Sequence, residues 1–418
     1  MGSAEIKQRA LQEIDRTTDE LVALCSQIVQ LEAENPPGDT TRAADFFESL
    51  FKRHGLPADR HEPQPAFVSL VSYIGDPKGR PHFVFNAHLD TFPAERPDLW
   101  AFPPYSGQVA DGQVRGRGSA DMRCGLTASL YAFLLLHRLK LPIKGRCTLM
   151  LVADEECGGH WGTGWLLRTY PELAGDACLI GEPESTQSLR IGEKGKSQLK
   201  LVARGESYHA GLATADDVNV RMGAALQIMK ELVEVRGEWP ADMKEVIEFA
   251  KGYSRYNRDK GKGWLLEHTA VNVGVVRGGV KINIVPMACE AEVDVRIPYG
   301  VKPADMKAMV ERRLKEAGLG SISVEHIQPT FEASYTSPSH PFVTLVKENV
   351  KAITGNDPPL TVSFAATDAR YFRPRGVPAL IFGPRPNNIA GLNEYITIED
   401  LVTVTKVHTT SAIDFLCA

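Results

Sequence analysis

The residues of this chain that could do chemistry fall at the ends of apolar runs. Phe83-Val84-Phe85-Asn86-Ala87 leads into His88-Leu89-Asp90. Cys147-Thr148-Leu149-Met150-Leu151-Val152-Ala153 closes on Asp154-Glu155-Glu156, and Ala177-Cys178-Leu179-Ile180 closes on Gly181-Glu182-Pro183. Gly116-Arg117-Gly118-Ser119-Ala120 delivers Asp121 just ahead of the apolar stretch from Leu126 to Leu139. Imidazole and carboxylate donors without thiolate suit Zn, Co or Mn better than a structural zinc site. On an extended chain, Asp90 shares a face with His88. It can accept one ring N–H while the other nitrogen binds a cation. The adjacent carboxylates Glu155 and Glu156 repel unless a cation or proton lies between them. Taken singly, each segment has an ordinary structural reading: Asp121 as a helix cap, Asp154-Glu155-Glu156 as a solvated acidic turn, Asp90 as a cap beside a buried histidine. Three apolar runs ending in the same donor types, with Asp121 at the head of a fourth apolar stretch, make one shared metal site the stronger reading.

Those donors need a scaffold. Short apolar runs read as buried strands, and an open α/β sheet binds ligands at its carboxyl ends. Helices are expected over 4–34 and 41–54, strands over 66–74 and 82–87, and a Pro- and aromatic-rich substrate-side loop over 92–107. Beyond Leu189 the pattern becomes strand 197–204, helix 216–235, strands 270–276 and 288–297, helix 303–317 and strand 322–327. That is βαββαβ, the ferredoxin-like arrangement. The expected organisation is therefore a catalytic α/β domain in two parts, 1–189 and 331–418, with an inserted lid at 190–330. The polar segment Gly237–Thr269 is expected as a surface excursion from that lid.

Composition excludes several classes. At 418 residues, 43% hydrophobic and 24% charged, the chain is an ordinary globular protein too long for one core. A net charge of −5 and the lack of a basic run with aromatics argue against nucleic acid. The seven cysteines are scattered and odd in number, which suggests a reducing, cytoplasmic setting rather than a disulfide framework. Met1–Arg9 has no apolar core for a signal peptide, and the run near Leu126–Leu136 is too short to span a membrane. There is no Gly-x-Ser-x-Gly elbow and no activated cysteine motif, so a serine or cysteine hydrolase is disfavoured.

Taken together, the motifs His88-x-Asp90, Gly116-Arg117-Gly118-x-x-Asp121-Met122, Glu155-Glu156, Gly181-Glu182-Pro183 and His209-Ala210-Gly211 resemble those of the M20 metallopeptidases. These include aminoacylases, succinyl-diaminopimelate desuccinylases, acetylornithine deacetylases, carboxypeptidase G-type enzymes and carnosine-type dipeptidases. The resemblance runs over nearly the whole chain. It implies a zinc-peptidase-like domain carrying a ferredoxin-like lid, and two divalent ions, Zn or else Co or Mn. It implies that His88 and Glu182 bind one ion, that Glu156 binds the other, and that Asp121 bridges them. Asp90 would orient His88, and Glu155 would be the general base for hydrolysis of an N-acyl amino acid or short peptide. His209 would reach a partner subunit's site in a lid-mediated homodimer and stabilise the oxyanion. Asn283 and Arg296 would grip a substrate carboxylate, and a cis peptide would follow Asp121.

One position departs from the pattern. The family's last ligand is a histidine four residues before the Glu of its closing motif, here Asn393-Glu394. That register falls on Ala390, which has no donor atom. An engineered knock-out and a natural loss both fit, and the second site is expected to be weakened. A non-catalytic small-molecule or peptide binder, or a hydrolase of another C–N bond, stays open as the alternative; intact Glu155 speaks for chemistry.

Overall fold

The computed structural model of the chain describes residues 3–253 and 260–417. Its strands are β1 (Asp59–Gln64), β2 (Phe67–Gly75), β3 (His82–His88), β4 (Gln108–Ala110), β5 (Gln113–Arg115), β6 (Arg146–Val152), β7 (Ala177–Ile180), β8 (Leu189–Glu193), β9 (Gly195–Arg204), β10 (Ala270–Gly278), β11 (Ala288–Ile297), β12 (Ser323–Phe331), β13 (Ser334–Tyr335), β14 (Leu360–Ser363), β15 (Ala379–Ile381) and β16 (Tyr395–Thr397). A nine-stranded mixed sheet runs β1-β2-β6-β3-β7-β15-β8-β13, with β14 beside β8. At its centre, β6, β3 and β7 are parallel. They are buried along their whole length, as strands covered on both faces must be. Their register sets His88 against Val152 and Asn86 against Ile180. The three carboxyl ends therefore emerge side by side, each followed at once by donor residues.

Helix Cys124–Arg138 packs across this sheet, buried on nearly every side from Cys124 to Leu136. It meets the start of the Glu182 loop backbone to backbone. A Cβ on Gly125 would overlap Gly181, and one on Gly181 would overlap Gly125. Only glycine at both positions lets the Asp121 segment and Glu182 approach this closely. The expected helix over 4–34 is two helices, Ser3–Arg16 and Thr18–Val29, which break at Thr17. The Thr17 hydroxyl donates to the Glu13 carbonyl there.

A second sheet, β10-β11-β9-β12, is antiparallel throughout and carries helices Val218–Glu231 and Pro303–Glu316. It is the ferredoxin-like lid, with its own core of Leu199, Leu201, Met222, Val293, Val310 and neighbours. The large sheet keeps β8, so the lid's sheet opens at Gly195. The segment 237–269, of which 254–259 lies outside the described residues, is not a free excursion. Met243, Val246, Ile247, Ala250 and Leu266 bury themselves in the core of the large domain. The Lys194 ammonium donates to the carbonyls of Leu265 and His268, fastening that segment to the junction. The amphipathic helix Lys244–Gly252 is the reason: its apolar face needs a partner, and the large core supplies one.

Candidate metal centre

The β3, β6 and β7 ends and the Asp121 loop meet in a cavity of about 220 Å³ lined by Asp121, Glu155, Glu156, Glu182, Lys196, Arg296, Arg370 and Ile389, among others. Behind two of these lining residues, Nε2 of the buried His88 lies 3.1 Å from Oδ1 of Asp121 and 3.5 Å from Oε1 of Glu182. One donor atom from each of these three residues lies within 4.8 Å of the others. Glu156 lines the same cavity but stands outside this cluster, and its Oε1 is buried without a hydrogen-bond partner among the described residues. Burial first, and Asp121 second, push the Glu156 and Glu182 carboxyls well above their usual range. Contacts with Asp121 and Asp90 hold His88 well above its own, against its burial. A crowded anionic pocket with an orphaned carboxylate oxygen is short of positive charge. Its donors fit a divalent cation at His88, Asp121 and Glu182.

Asp90 does more than expected, and does it differently. Nδ1 of His88 lies 2.9 Å from the Asp90 carbonyl oxygen and 3.5 Å from its carboxylate, so the backbone is the closer partner. The carboxylate instead accepts from the peptide N–H groups of Glu155 and Glu156, both at 3.1 Å, and from Asn35 at 2.9 Å. One residue thus fixes both the imidazole and the turn bearing the two glutamates.

Glu155 is held by Arg370, whose Nη1 lies 2.9 Å from its Oε1. Burial raises the Glu155 carboxyl, and Arg370 opposes that rise. Arg370 also faces Asp368 at 3.4 Å and lies over the rings of Phe331 and Tyr371. The Asp121 loop is set by Glu394. Its carboxylate accepts from Arg117 at 2.7 Å and from the peptide N–H groups of Gly118, Ala120 and Asp121 at 2.8–3.1 Å. The Asp121-Met122 peptide is cis. A larger hollow of about 750 Å³ lies across Phe331 and Arg370, but among the described residues Glu332 is its only carboxylate and no histidine lines it.

The profile of peptidase family M20/M25/M40 matches residues 84–414. The chain belongs to that family. As an M20 protein it is an enzyme, a hydrolase of amide bonds. A succinyl-diaminopimelate desuccinylase of Rhodospirillum centenum is 27% identical over 402 residues, covering 93% of this chain and 95% of the relative. Among solved structures, an M20 metallo-carboxypeptidase, Sso-CP2 from Sulfolobus solfataricus, superposes with a TM-score of 0.79 at 17% identity. It covers 94% of this chain and 98% of that one. The di-peptidase Dug1p of Saccharomyces cerevisiae gives 0.76 at 16% identity, with 99% of each chain covered.

The M20 lid residues separate into two groups. Arg296 lines the metal cavity, its guanidinium bound to Asp294. Asn283 does not join it. It is exposed at the far end of the lid, where its carbonyl accepts from Ala210 N beside the equally exposed His209. Within one chain, Asn283 and Arg296 therefore cannot grip the same carboxylate. Ala390 is exposed with φ 55°, in the loop whose Ile389 lines the cavity. Arg370, Asn35 and Lys196 carried no motif of their own in the sequence, and Glu394 served there only to set a register.

Proposed function

We propose that this M20 hydrolase cleaves the amide of a small N-acyl amino acid or short peptide, with Glu155 as the general base. The observation that carries the reading is the His88–Asp121–Glu182 donor cluster, two of whose members, Asp121 and Glu182, line one cavity with Glu155. A divalent ion held by those three residues would supply Lewis acidity toward the amide carbonyl and the attacking water. Glu155 takes the proton from that water and returns it to the departing nitrogen. Arg370 keeps the carboxylate aimed into the cavity between these steps. Asp90 holds the Glu155–Glu156 turn at a fixed distance from His88 through the same set of hydrogen bonds.

Glu156 with Asp121 would form the weaker second site, since Ala390 offers no donor. Zinc is the first choice of ion by donor type. His209 and Asn283 would serve the site of a second copy, in a homodimer built through the lid. This is supported by the apolar residues around them, with Val280 92% and Ile282 98% exposed. Seven unpaired thiols suit a reducing compartment, and among the described residues no helix is long and apolar enough to cross a membrane.

The test is Glu155→Gln. Turnover of an N-acyl amino acid panel should fall by several orders of magnitude while bound divalent metal stays near the parent level. Loss of the metal in that variant would make Glu155 a ligand, and unchanged turnover would remove it from the chemistry.

A further inference from the structure

Two strands of the lid place cations in direct register. Lys196 on β9 is the Cα partner of Arg296 on β11 and, on its other side, of Phe331 on β12. Residues directly opposite one another share a face of the sheet. Arg296, Lys196 and Phe331 therefore form one row across three strands, and all three line the metal cavity. Like charges in that relation destabilise a sheet. Arg296 is already compensated, because its Nε and Nη2 reach Asp294 at 3.0 Å. Lys196 is not. It is only 8% exposed, forms no ion pair among the described residues, and rests its ammonium 5.5 Å over the Phe331 ring. Its Nζ would stand 3.5 Å from a Cβ on Gly158, which places the charge beside the turn that carries Glu155 and Glu156. Buried charges are normally paired. This one opens onto the cavity where substrate must lie.

We propose that Lys196 is the residue that reads the substrate's carboxylate, with Arg296 flanking it and Asn283 taking no part within the chain. This rests on the amide-hydrolase reading and assigns to Lys196 the recognition of the α-carboxylate that an N-acyl amino acid carries beside the scissile bond. A lysine is a compact charge on a flexible stem, so the grip should tolerate variation in the body of the substrate and be strict about the charge.

The experiment uses the full-length, zinc-loaded protein with N-acetyl-L-amino acids and their uncharged α-carboxamides as probes, read by calorimetry. The parent should bind the acids at least about 10-fold better than the amides. In Lys196→Met that ratio should collapse toward one, and Lys196→Arg should keep much of it. Lys196→Gln, checked by circular dichroism, guards against a folding defect in the methionine variant. An acid preference that survives in both Lys196→Met and Lys196→Gln, one that disappears only in Arg296→Met, or no acid preference in the parent would overturn the proposal. Hydrolysis is scored separately. Acid-selective binding lost at Lys196 without any turnover would refute the hydrolase reading and leave the role of Lys196 standing.

Discussion

Removing the Glu394 carboxylate should be among the most damaging single changes available outside the metal ligands. Glu394 is buried, and so is its partner Arg117, at 2.7 Å. The same carboxylate satisfies the peptide N–H groups of Gly118, Ala120 and Asp121. Glu394→Ala strands a buried guanidinium, and breaking a buried pair this way costs about 3–5 kcal/mol. Three orphaned peptide groups could add about 1–3 kcal/mol each, but water entering the vacated volume would recover much of that. The expected loss in unfolding free energy is therefore about 3–5 kcal/mol. Asp121 sits on the backbone that Glu394 holds, so divalent affinity should also fall about 10–100-fold, the usual effect of losing a ligand's support. Urea unfolding reads the first quantity and chelator competition the second. Glu394→Gln, which keeps an acceptor oxygen but loses the charge, should fall between. If Glu394→Ala unfolds within about 1 kcal/mol of the parent and binds metal equally well, the loop is not held this way.

Further outcomes are expected. Ala390→His should add a second tightly bound divalent ion and raise amide turnover by at least about 10–100-fold; unchanged metal stoichiometry by elemental analysis would show that the ligand position lies elsewhere. Burial holds the His408 imidazole down to about 4, between Ser129 and the Phe382 carbonyl. Because its folded pKa lies below the unfolded value, its contribution is fully present above about pH 6.5 and is lost as pH falls toward 4, by up to about 3 kcal/mol. The stability difference between parent and His408→Gln should therefore shrink over that window, and a constant difference would refute it. Ile282→Asp, on the exposed end of the lid, should shift the protein toward monomer in sedimentation at micromolar concentration, whereas a parent that is already monomeric would remove the lid dimer.

The legible part of this molecule was the part written in strand ends. His88, Glu155, Glu156 and Glu182 each follow an apolar run, and parallel pairing of β3, β6 and β7 was enough to bring them together. The lid was legible for a similar reason: its alternating strand Ala288–Ile297 is buried on every second residue. What escaped were residues whose work depends on non-local partners. Arg370 lies 215 positions from Glu155, and nothing in Thr367-Asp368-Ala369-Arg370 announces a salt bridge to it. Lys196 looks like one polar residue in an alternating strand until its register with Arg296 is known. Asn283 shows the converse: a motif match fixes which residue to watch, but not which cavity it faces. The docking of segment 237–269 on the large domain was not legible because its helix has an apolar face whose partner, the large core, is remote in sequence.

The way the chain crosses between its two cores sets the lid's mechanics. The lid is joined to the large domain at Lys194–Gly195 and after Phe331, and it is pinned again where the apolar face of helix Lys244–Gly252 packs on the large core. A body fastened along one edge can only swing about that edge. Lys196 and Arg296 sit beside it, near the start of β9 and the end of β11. His209 lies past the other end of β9, a strand of 10 residues, so roughly 30 Å separates the two at the usual rise of a strand. A swing that carries the tip through many ångströms leaves the cation row almost where it started. If the lid closes about this edge, the proposed Lys196 contact with a carboxylate would form before the tip arrives, and closure would deliver only what the tip carries.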